Sequence, residues 1–402
     1  MIEWAFPAIV VGSALISTGM SDRKKIETIF RNVKIGIPEG KKLRTPKFHK
    51  KKPILKGPKE IGKTYFYDIP LGLPASMYAK AGENMRVFEE SLKKPVELEF
   101  RDGYLQIHVY NEDIPKFVAY SSIDELPEKK WSVPLGYTPK GILWHDFDQT
   151  PHITVSGTAR FGKTVLLKVI MTWLIEHHPD DVEFYIIDLK GGLEFNRYRN
   201  LKQVKMLAKD PLEAARLLEH LLDRIQQDEA EFLKHHYTNI SDTPIRRRVF
   251  IITDEGAQLT PFSYLPKEQK QLLSFCQSAL SEICRVAGAL GYRNIFCTQY
   301  PTADCMPRQV KMNSDTKISF RLGTGYASEV AIDDRGAEEL PSDIKGRALV
   351  KTHELKQVQV PYISDQEAWG RLQKYQRMVM DDWIVEQREE KAPSRENFIQ
   401  FG

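Results

Sequence analysis

Residues 156–167, SGTARFGKTVLL, have the types and spacing of a phosphate-binding loop. The pattern is G-x-x-x-x-G-K-[ST], formed by Gly157, Gly162, Lys163 and Thr164. In such a loop backbone N–H groups surround the β-phosphate, the lysine reaches the β- and γ-phosphates, and the hydroxyl ligates Mg²⁺. We therefore expect the whole loop to bind ATP and Mg²⁺: Gly157, Thr158, Ala159, Arg160, Phe161, Gly162, Lys163 and Thr164.

Arg160 and Phe161 are unusual in this loop, where small residues are the rule. Arg160 could add a charge-assisted contact to a phosphate or to a neighbouring subunit. Phe161 could stack near the base or pack on the next strand. The sequence leaves these alternatives open.

A pair of acids, Asp254 and Glu255, ends the apolar run RRRVFIITDE roughly 90 residues after the loop. A carboxylate at such a strand end would hold the hydration shell of Mg²⁺, which we assign to Asp254 together with Thr164. The adjacent Glu255 would act as general base on the attacking water.

Gln299 follows a further apolar run, in the segment CTQYP. An uncharged amide there could contact both the γ-phosphate and the water, and so report hydrolysis to the rest of the fold. The alternative is a buried, hydrogen-bonded glutamine with no part in the reaction.

The elements that must position these residues alternate between strands and helices. From about residue 147, short apolar runs such as HITVSG, VEFYIIDL and RVFIITDE alternate with helical stretches. This alternation predicts an α/β fold with a parallel sheet covered by helices on both faces. Residues 64–145 combine strand-like runs with one amphipathic helix, which predicts a small α+β domain.

The positive charge is concentrated near the start of the 402-residue chain, although the net charge is only +4. Residues 21–64 hold 15 Lys and Arg and 4 Asp and Glu, a net charge of +11. Prolines at 46, 53 and 58 interrupt any periodicity, so we interpret residues 21–63 as an extended basic linker. This linker could bind the phosphates of nucleic acid or of anionic lipid. The alternative is a solvated tether without a binding partner.

An uncharged, mostly apolar run occupies residues 4–20, and Arg23, Lys24 and Lys25 follow it. Its length is at the lower limit for a membrane-spanning helix, and the following charges would keep the rest of the chain in the cytoplasm. The alternative is an N-terminal helix packed on the protein itself, and the protein would then be cytoplasmic. The predicted order is therefore this helix (1–20), the linker (21–63), the small domain (64–145), the motor (146–375) and a charged tail (376–402).

Taken together, these motifs resemble the FtsK/SpoIIIE family of DNA translocases over about residues 100–370. The shorter members carried by integrative conjugative elements, which act as coupling proteins, are the more similar ones. The resemblance rests on the loop Gly157–Thr164 and on four further motifs in the family's order: Asp188-Leu189-Lys190, Asp254-Glu255, CRVAGALGYRNIFCTQYP with Arg285, Gly288 and Gln299, and Gly336-Ala337-Glu338-Glu339-Leu340.

Some positions depart from the family pattern. Glu329 stands in the segment where the family has the arginine of D-S-R, so that arginine's role does not carry over. The residues after GRALVKT are too few for the small domain that reads polarity sequences in chromosome-segregating members.

The resemblance implies a RecA-like P-loop motor that uses ATP and Mg²⁺ to move DNA, single- or double-stranded, and works as a ring, expected to be a hexamer. It favours transfer of mobile-element or plasmid DNA in conjugation, with membrane and relaxase machinery as further partners. Two alternatives stay open: a protein-secretion ATPase of the same superfamily, and a soluble DNA-packaging or replication motor.

Arg285 is the candidate for an arginine that acts across the ring on a neighbouring subunit's nucleotide, with Arg321 as second choice. The competing interpretation is that Arg285 only interacts with the negative end of its own helix dipole.

Overall fold

The computed structural model describes residues 20–40, 42–73 and 83–377. The chain divides into two compact units, Met1–Asp113 and Ile114–Gly402. The boundary therefore lies some 30 residues before the predicted one at 145/146. Residues 132–146 form two strands that belong to the second unit's sheet, a long-range pairing that local periodicity does not reveal.

In the first unit the described residues form two α-helices and antiparallel strands. Its elements in chain order are α1 (Asp22–Asn32), β1 (Ile37–Glu39), β2 (Lys42–Arg44), β3 (Lys47–Lys56), β4 (Lys59–Asp68), α2 (Glu83–Leu92), β5 (Val96–Arg101) and β6 (Tyr104–Tyr110). Four of the strands form a sheet in the order β3-β4-β6-β5, and β1 pairs only with β2.

The interpretation of residues 21–63 as an extended linker is wrong, because this segment contains α1 and the β3–β4 hairpin. On α1 the apolar residues Ile26, Ile29 and Phe30 are buried, and the Phe30 ring meets Tyr67 of β4 edge-on at 5.0 Å. The lysines of β3 lie on an edge strand with most side chains exposed. Because most side chains of β3 are exposed, this strand lacks a clear alternation of apolar and polar residues, and its sequence is typical of a solvated segment.

The described residues of the second unit, 114–377, form a ten-stranded sheet and six α-helices. Its elements are β7 (Ser132–Thr138), β8 (Gly141–Asp146), β9 (Ile153–Ser156), α3 (Lys163–His177), β10 (Val182–Asp188), β11 (Val204–Ala208), α4 (Pro211–His235), β12 (Arg248–Asp254), α5 (Lys267–Val286), β13 (Tyr292–Thr298), α6 (Arg308–Met312), β14 (Thr316–Phe320), α7 (Gly325–Ile332), β15 (Arg347–Lys351), β16 (Leu355–Gln359) and α8 (Asp365–Leu372).

The strand order is β11-β10-β12-β13-β9-β14-β15-β16-β7-β8. The first six strands are parallel, and the last four are added antiparallel. The predicted α/β fold is thus confirmed, with an antiparallel extension that was not expected.

Two apolar cores lie on opposite faces of this sheet. Phe250 and Ile252 of β12 pack in the core that includes α3 and α8, whereas Val249 and Ile251 pack in the core that includes α4 and α5. Alternate strand residues face opposite sides, so β12 is buried on both faces, as a central parallel strand requires.

No helix within residues 20–40, 42–73 and 83–377 is long and apolar enough to cross a bilayer. Of the apolar run 4–20, all but Met20 lies outside the described residues, as does the tail from residue 378 onward. The predictions for both segments remain predictions.

A buried ionic cluster joins the amino ends of β9, β12 and β13. Asp148, just before β9, accepts hydrogen bonds from Arg248 Nε at 2.8 Å and Nη2 at 2.9 Å, and from Arg293 Nη2 at 2.7 Å. Burial alone would raise the pKa of Asp148, but the two guanidinium groups outweigh burial and hold this pKa below its usual value.

We expect Asp148→Asn to lower the free energy of unfolding by about 3 kcal/mol, because two buried cations lose their counter-ion. The wild-type contribution should be complete above about pH 4, the pKa of an unfolded aspartate, and disappear as the pH falls through the lower folded-state pKa. Urea unfolding followed by tryptophan fluorescence at several pH values measures the loss in unfolding free energy and its dependence on pH. Asp180→Asn, at an exposed position, is the control; equal losses in the two variants would contradict the prediction.

Candidate nucleotide-binding site

The glycine-containing loop, residues 157–162, connects the central strand β9 to α3. Gly157 has φ +149° and Gly162 has φ +125°. A Cβ atom at these positions would lie 2.6 Å and 2.8 Å from side-chain atoms of Phe320 at the end of β14. Both the dihedral angles and the close approach therefore require glycine, and they place the loop's backbone against the neighbouring strand.

Lys163 is the first residue of α3, and only 4% of it is exposed. Its Nζ donates a hydrogen bond of 2.6 Å to the carbonyl oxygen of Gly157, so the side chain folds back across the loop. Burial lowers the pKa of Lys163, and the nearby Glu255 carboxylate acts in the opposite direction. Thr164 lies half-buried in the first turn of the same helix.

The loop is attached to β14 and to the turn before β15. The backbone N–H and the hydroxyl of Thr158 both donate to the Arg321 carbonyl oxygen, at 3.0 and 2.9 Å. The Phe161 carbonyl accepts from Gly346 N–H at 3.0 Å. The Phe161 ring packs against the apolar core, with Lys345 Nζ 3.9 Å from its centroid.

Of the two unusual loop residues, Phe161 thus makes the packing contact that was one of its alternatives. Arg160 is exposed, with φ +67°. An exposed guanidinium on the loop leaves both of its alternatives open.

Two aspartates end adjacent strands in register, Asp188 on β10 and Asp254 on β12. Asp254 is fully buried. Its Oδ2 accepts from Lys190 Nζ at 2.9 Å, whereas Oδ1 has no hydrogen-bond partner among the described residues. Asp188 accepts from the backbone N–H groups of Lys190, Glu194 and Phe195. Burial raises the pKa of Asp188, and the Asp254 charge adds to this effect.

Lys190 is a site residue to which the sequence analysis gave no role. Burial alone would lower its pKa, but the Asp254 carboxylate outweighs burial and raises it. Gly191 and Gly192 follow with φ +73° and +74° and turn the chain immediately after this contact. The position of Lys190 in the sequence could have indicated this role, because Lys190 lies two residues after the end of β10, the strand next to the one that carries Asp254.

Glu255 lies in the left-handed region, φ +63°, and is 6% exposed. Its Oε1 accepts from the backbone N–H of Gln299 at 3.0 Å and lies 3.4 Å from the Thr298 hydroxyl oxygen. The other oxygen, Oε2, has no hydrogen-bond partner within the described part of the chain. The structure therefore brings Glu255 and Gln299 together through the backbone of Gln299.

Arg285 does not lie near the loop of its own chain. It precedes the end of α5, its side chain is 58% exposed, and it pairs with Glu282 at 2.7 Å. β13 begins after it and ends beside Glu255, so the length of that strand, roughly 20 Å, separates Arg285 from the sheet edge that carries Glu255. Arg321 is adjacent to the loop, and its guanidinium donates to the Leu340 carbonyl oxygen.

The site's residues fit a nucleotide phosphate with Mg²⁺. The loop presents its backbone where two Cβ atoms are excluded, and a buried lysine stands beside it. The buried oxygens Asp254 Oδ1 and Glu255 Oε2 lack partners in the residues described. Within those residues no group of three or more His, Cys, Asp or Glu could enclose a metal. One or two carboxylates that act together with substrate phosphates are the usual environment of Mg²⁺.

Gly256, the residue after Asp254 and Glu255, lies directly against the Phe296 ring, because a Cβ on it would be 2.1 Å from that ring. We expect Gly256→Ala to cost about 1 to 3 kcal/mol of unfolding free energy through overpacking and to weaken nucleotide binding. Phe296→Leu should make room for the new methyl group, so the double variant should be no less stable than Phe296→Leu alone. A thermal-unfolding double-mutant cycle measures this coupling; strictly additive losses would contradict the proposed contact.

Comparisons with known proteins agree with this geometry. Residues 133–260 match the FtsK/SpoIIIE family profile. The DNA translocase FtsK of Leptospira interrogans is 26% identical over 268 residues, 62% of this chain and 27% of that protein. The DNA translocase FtsK of Streptococcus pyogenes is 26% identical over 255 residues, 61% of this chain and 32% of that protein. The chain thus spans about a third or less of these relatives.

Two solved structures have the same fold. The conjugation coupling protein TcpA of pCW3, in a monomer form with ATPγS, has a TM-score of 0.61 and 20% identity, over 88% of this chain and 99% of that one. The cytoplasmic domain of the Thermomonospora curvata type VII secretion ATPase EccC has a TM-score of 0.52 and 20% identity, over 66% and 33%. The second unit thus shares an α/β fold with these two structures, and residues 133–260 are similar to the FtsK/SpoIIIE family.

Proposed function

We propose that this chain is an ATP-driven DNA translocase. The observation that carries the proposal is the Asp254–Glu255 pair, buried at the strand end beside the loop lysine Lys163, in a domain related to DNA translocases. A buried carboxylate pair next to a phosphate-binding loop is the arrangement that nucleotide hydrolysis requires.

In this proposal the loop residues Gly157–Thr164 bind the ATP phosphates, and Thr164 and Asp254 hold Mg²⁺. Bound Mg²⁺ would neutralise phosphate charge. Lys163 and Lys190 would have to leave their present acceptors, the Gly157 carbonyl and the Asp254 carboxylate, to contact phosphate.

Glu255 is the proposed general base. The Gln299 N–H fixes one of its carboxylate oxygens, and the second oxygen, unpartnered within the described residues, is then available to take a proton from water. Gln299 contacts this base through its backbone, so a change at the nucleotide would reach β13 directly. This contact supports the sensor role of Gln299.

DNA is the proposed substrate, and mobile-element or plasmid DNA in conjugative transfer is the proposed setting. The likeness to the coupling protein TcpA supports this setting, because it extends over most of both chains. The membrane, through residues 4–20, and the relaxase machinery are further proposed partners.

A ring, with six subunits as the expected number, is the proposed working assembly. The position of Arg285 supports it, because the side chain is exposed and far from the loop of its own chain, as an arginine that acts on a neighbour's nucleotide would be. A protein-secretion ATPase is the second candidate function, favoured by the likeness to the ATPase EccC.

The deciding experiment measures ATP hydrolysis with and without single- and double-stranded DNA. We expect DNA to stimulate hydrolysis, with stimulation that falls steeply as salt rises and with little sequence preference. Lys163→Ala should abolish hydrolysis and weaken ATP binding, whereas Glu255→Gln should bind ATP but not turn it over. Equal rates for Glu255→Gln and wild type would remove Glu255 as base. Stimulation by a secretion-signal peptide and not by DNA would favour the second candidate.

The role of Arg285 is tested by mixing subunits. Arg285→Ala and Glu255→Gln should each be inactive alone, because an arginine of this kind contributes on the order of 10³ to 10⁵ in rate. Mixed rings would contain some interfaces with both residues intact, so part of the activity should return. If rings mix and no ratio restores hydrolysis, Arg285 does not act across the interface. Glu282→Gln, which removes the surface ion pair and keeps Arg285, is the control.

A further inference from the structure

The first unit has a solvent-facing sheet surface that combines lysines with aromatic rings. Helices α1 and α2 pack on one face of its four-stranded sheet. On the other face Lys50 of β3 stands opposite Phe66 of β4, and Lys52 stands opposite Thr64. Tyr104 of β6 lies beside Phe66, with ring centroids 6.0 Å apart. We call Lys50, Lys52, Phe66 and Tyr104 the basic-aromatic face.

The lysines of this face lie over the rings. Lys50 Nζ is 5.3 Å from the Phe66 centroid and 5.5 Å from that of Tyr104, and Lys52 Nζ is 5.9 Å from that of Phe66. His49 adds a third ring, 4.8 Å from Tyr104. Both lysines are exposed and both rings are partly exposed. A flat ligand could therefore reach the rings once the flexible lysine side chains move aside.

The charge around the face is strongly positive. Residues 42–68 contain nine Lys and Arg and two acids, Glu60 and Asp68. Glu60 pairs with Lys63, and Asp68 lies 3.4 Å from His49. On the far strand β5, Glu99 lies near Arg101 and His108, and Glu97 accepts from Tyr110. No carboxylate among the described residues pairs with Lys50 or Lys52.

Protection of an edge strand explains part of this arrangement. Lysines on an edge strand prevent pairing with another sheet, and β3 is such a strand. That purpose does not require two aromatic rings beneath the lysines on the solvent side. Proteins that bind single-stranded nucleic acid without sequence preference combine cations, which bind the phosphates, with aromatic rings, on which the bases stack.

We propose that the basic-aromatic face binds a single strand of nucleic acid, with phosphates at Lys50 and Lys52 and bases against Phe66 and Tyr104. The choice of nucleic acid as the polyanion rests on the proposed function. This site is separate from the ATP site and requires no nucleotide. Duplex DNA would meet the lysines only, because its bases are already stacked on one another.

The test measures binding of the full chain, without nucleotide, to a fluorescent oligothymidylate of about 20 nucleotides over a range of salt concentrations. Lys50→Gln/Lys52→Gln should weaken binding and reduce the slope of log K against log salt by about 1.4, since each phosphate contact to a single strand contributes about 0.7. Phe66→Leu and Tyr104→Leu should each weaken binding roughly 5- to 100-fold and leave duplex binding unchanged.

The matched control is Lys24→Gln/Lys25→Gln, which removes the same charge from α1 on the opposite side of the unit. It should leave the affinity within about twofold and the salt slope unchanged. Lys50→Arg/Lys52→Arg should keep wild-type affinity, which separates loss of charge from loss of folding. Circular dichroism and melting temperature verify that each variant is folded.

Three outcomes would overturn the proposal. One is a wild-type chain that does not bind the oligothymidylate, and another is equal weakening by the face variants and the α1 control. The third is that the face variants lose binding to phosphatidylserine vesicles but keep their binding to the oligonucleotide. The face would then be a lipid-binding surface, and Leu55, 60% exposed at the β3–β4 turn, is the apolar residue that could support this role. DNA-stimulated ATP hydrolysis tests the motor separately, so its persistence in the face variants would leave the proposed function standing.

Discussion

The close approach of the loop 157–162 to Phe320 is the constraint on which the rest of the second unit depends. Two glycines without Cβ atoms let the loop lie against the end of β14, and Thr158 then attaches it to the Arg321 carbonyl. This position exists because β9 lies between β13 and β14. The same strand order brings Glu255 and Gln299 to the edge from which α3 and Lys163 start.

Charge balance is the second condition for such a site. Three buried carboxylates, Asp188, Asp254 and Glu255, stand at this edge with two lysines, Lys163 and Lys190. Buried charges are tolerated only when they are paired or hydrogen-bonded, and here backbone N–H groups hold Asp188 while Lys190 neutralises Asp254. One oxygen of Asp254 and one of Glu255 have no hydrogen-bond partner among the described residues, and these oxygens suit a divalent cation and a proton.

The amino edge of the same sheet is held in the opposite way, by one acid between two arginines. Asp148 links the starts of β12 and β13 to the segment before β9, so the three strands that end at the site are also fixed where they begin. Arg285 lies near this amino edge, at the end of α5, and pairs there with Glu282. The proposed nucleotide site and Arg285 are therefore at opposite edges of the same sheet.

The sequence by itself determined the loop, the acid pair Asp254–Glu255, the strand–helix alternation and the α/β class, because each depends on neighbours in the chain or on a local period. It did not reveal Lys190 as a partner of Asp254 or the four antiparallel strands at one edge, and it gave the packing of Phe161 only as one of two alternatives. All three depend on contacts distant in sequence. The basic segment was misinterpreted as a linker for the same reason. Its lysines lie on β3, an edge strand that is held in place by backbone hydrogen bonds to β4. Backbone hydrogen bonds do not require a periodic pattern of apolar side chains, so the sequence of β3 did not indicate a strand. Only the tertiary structure decided that these lysines stand over aromatic rings.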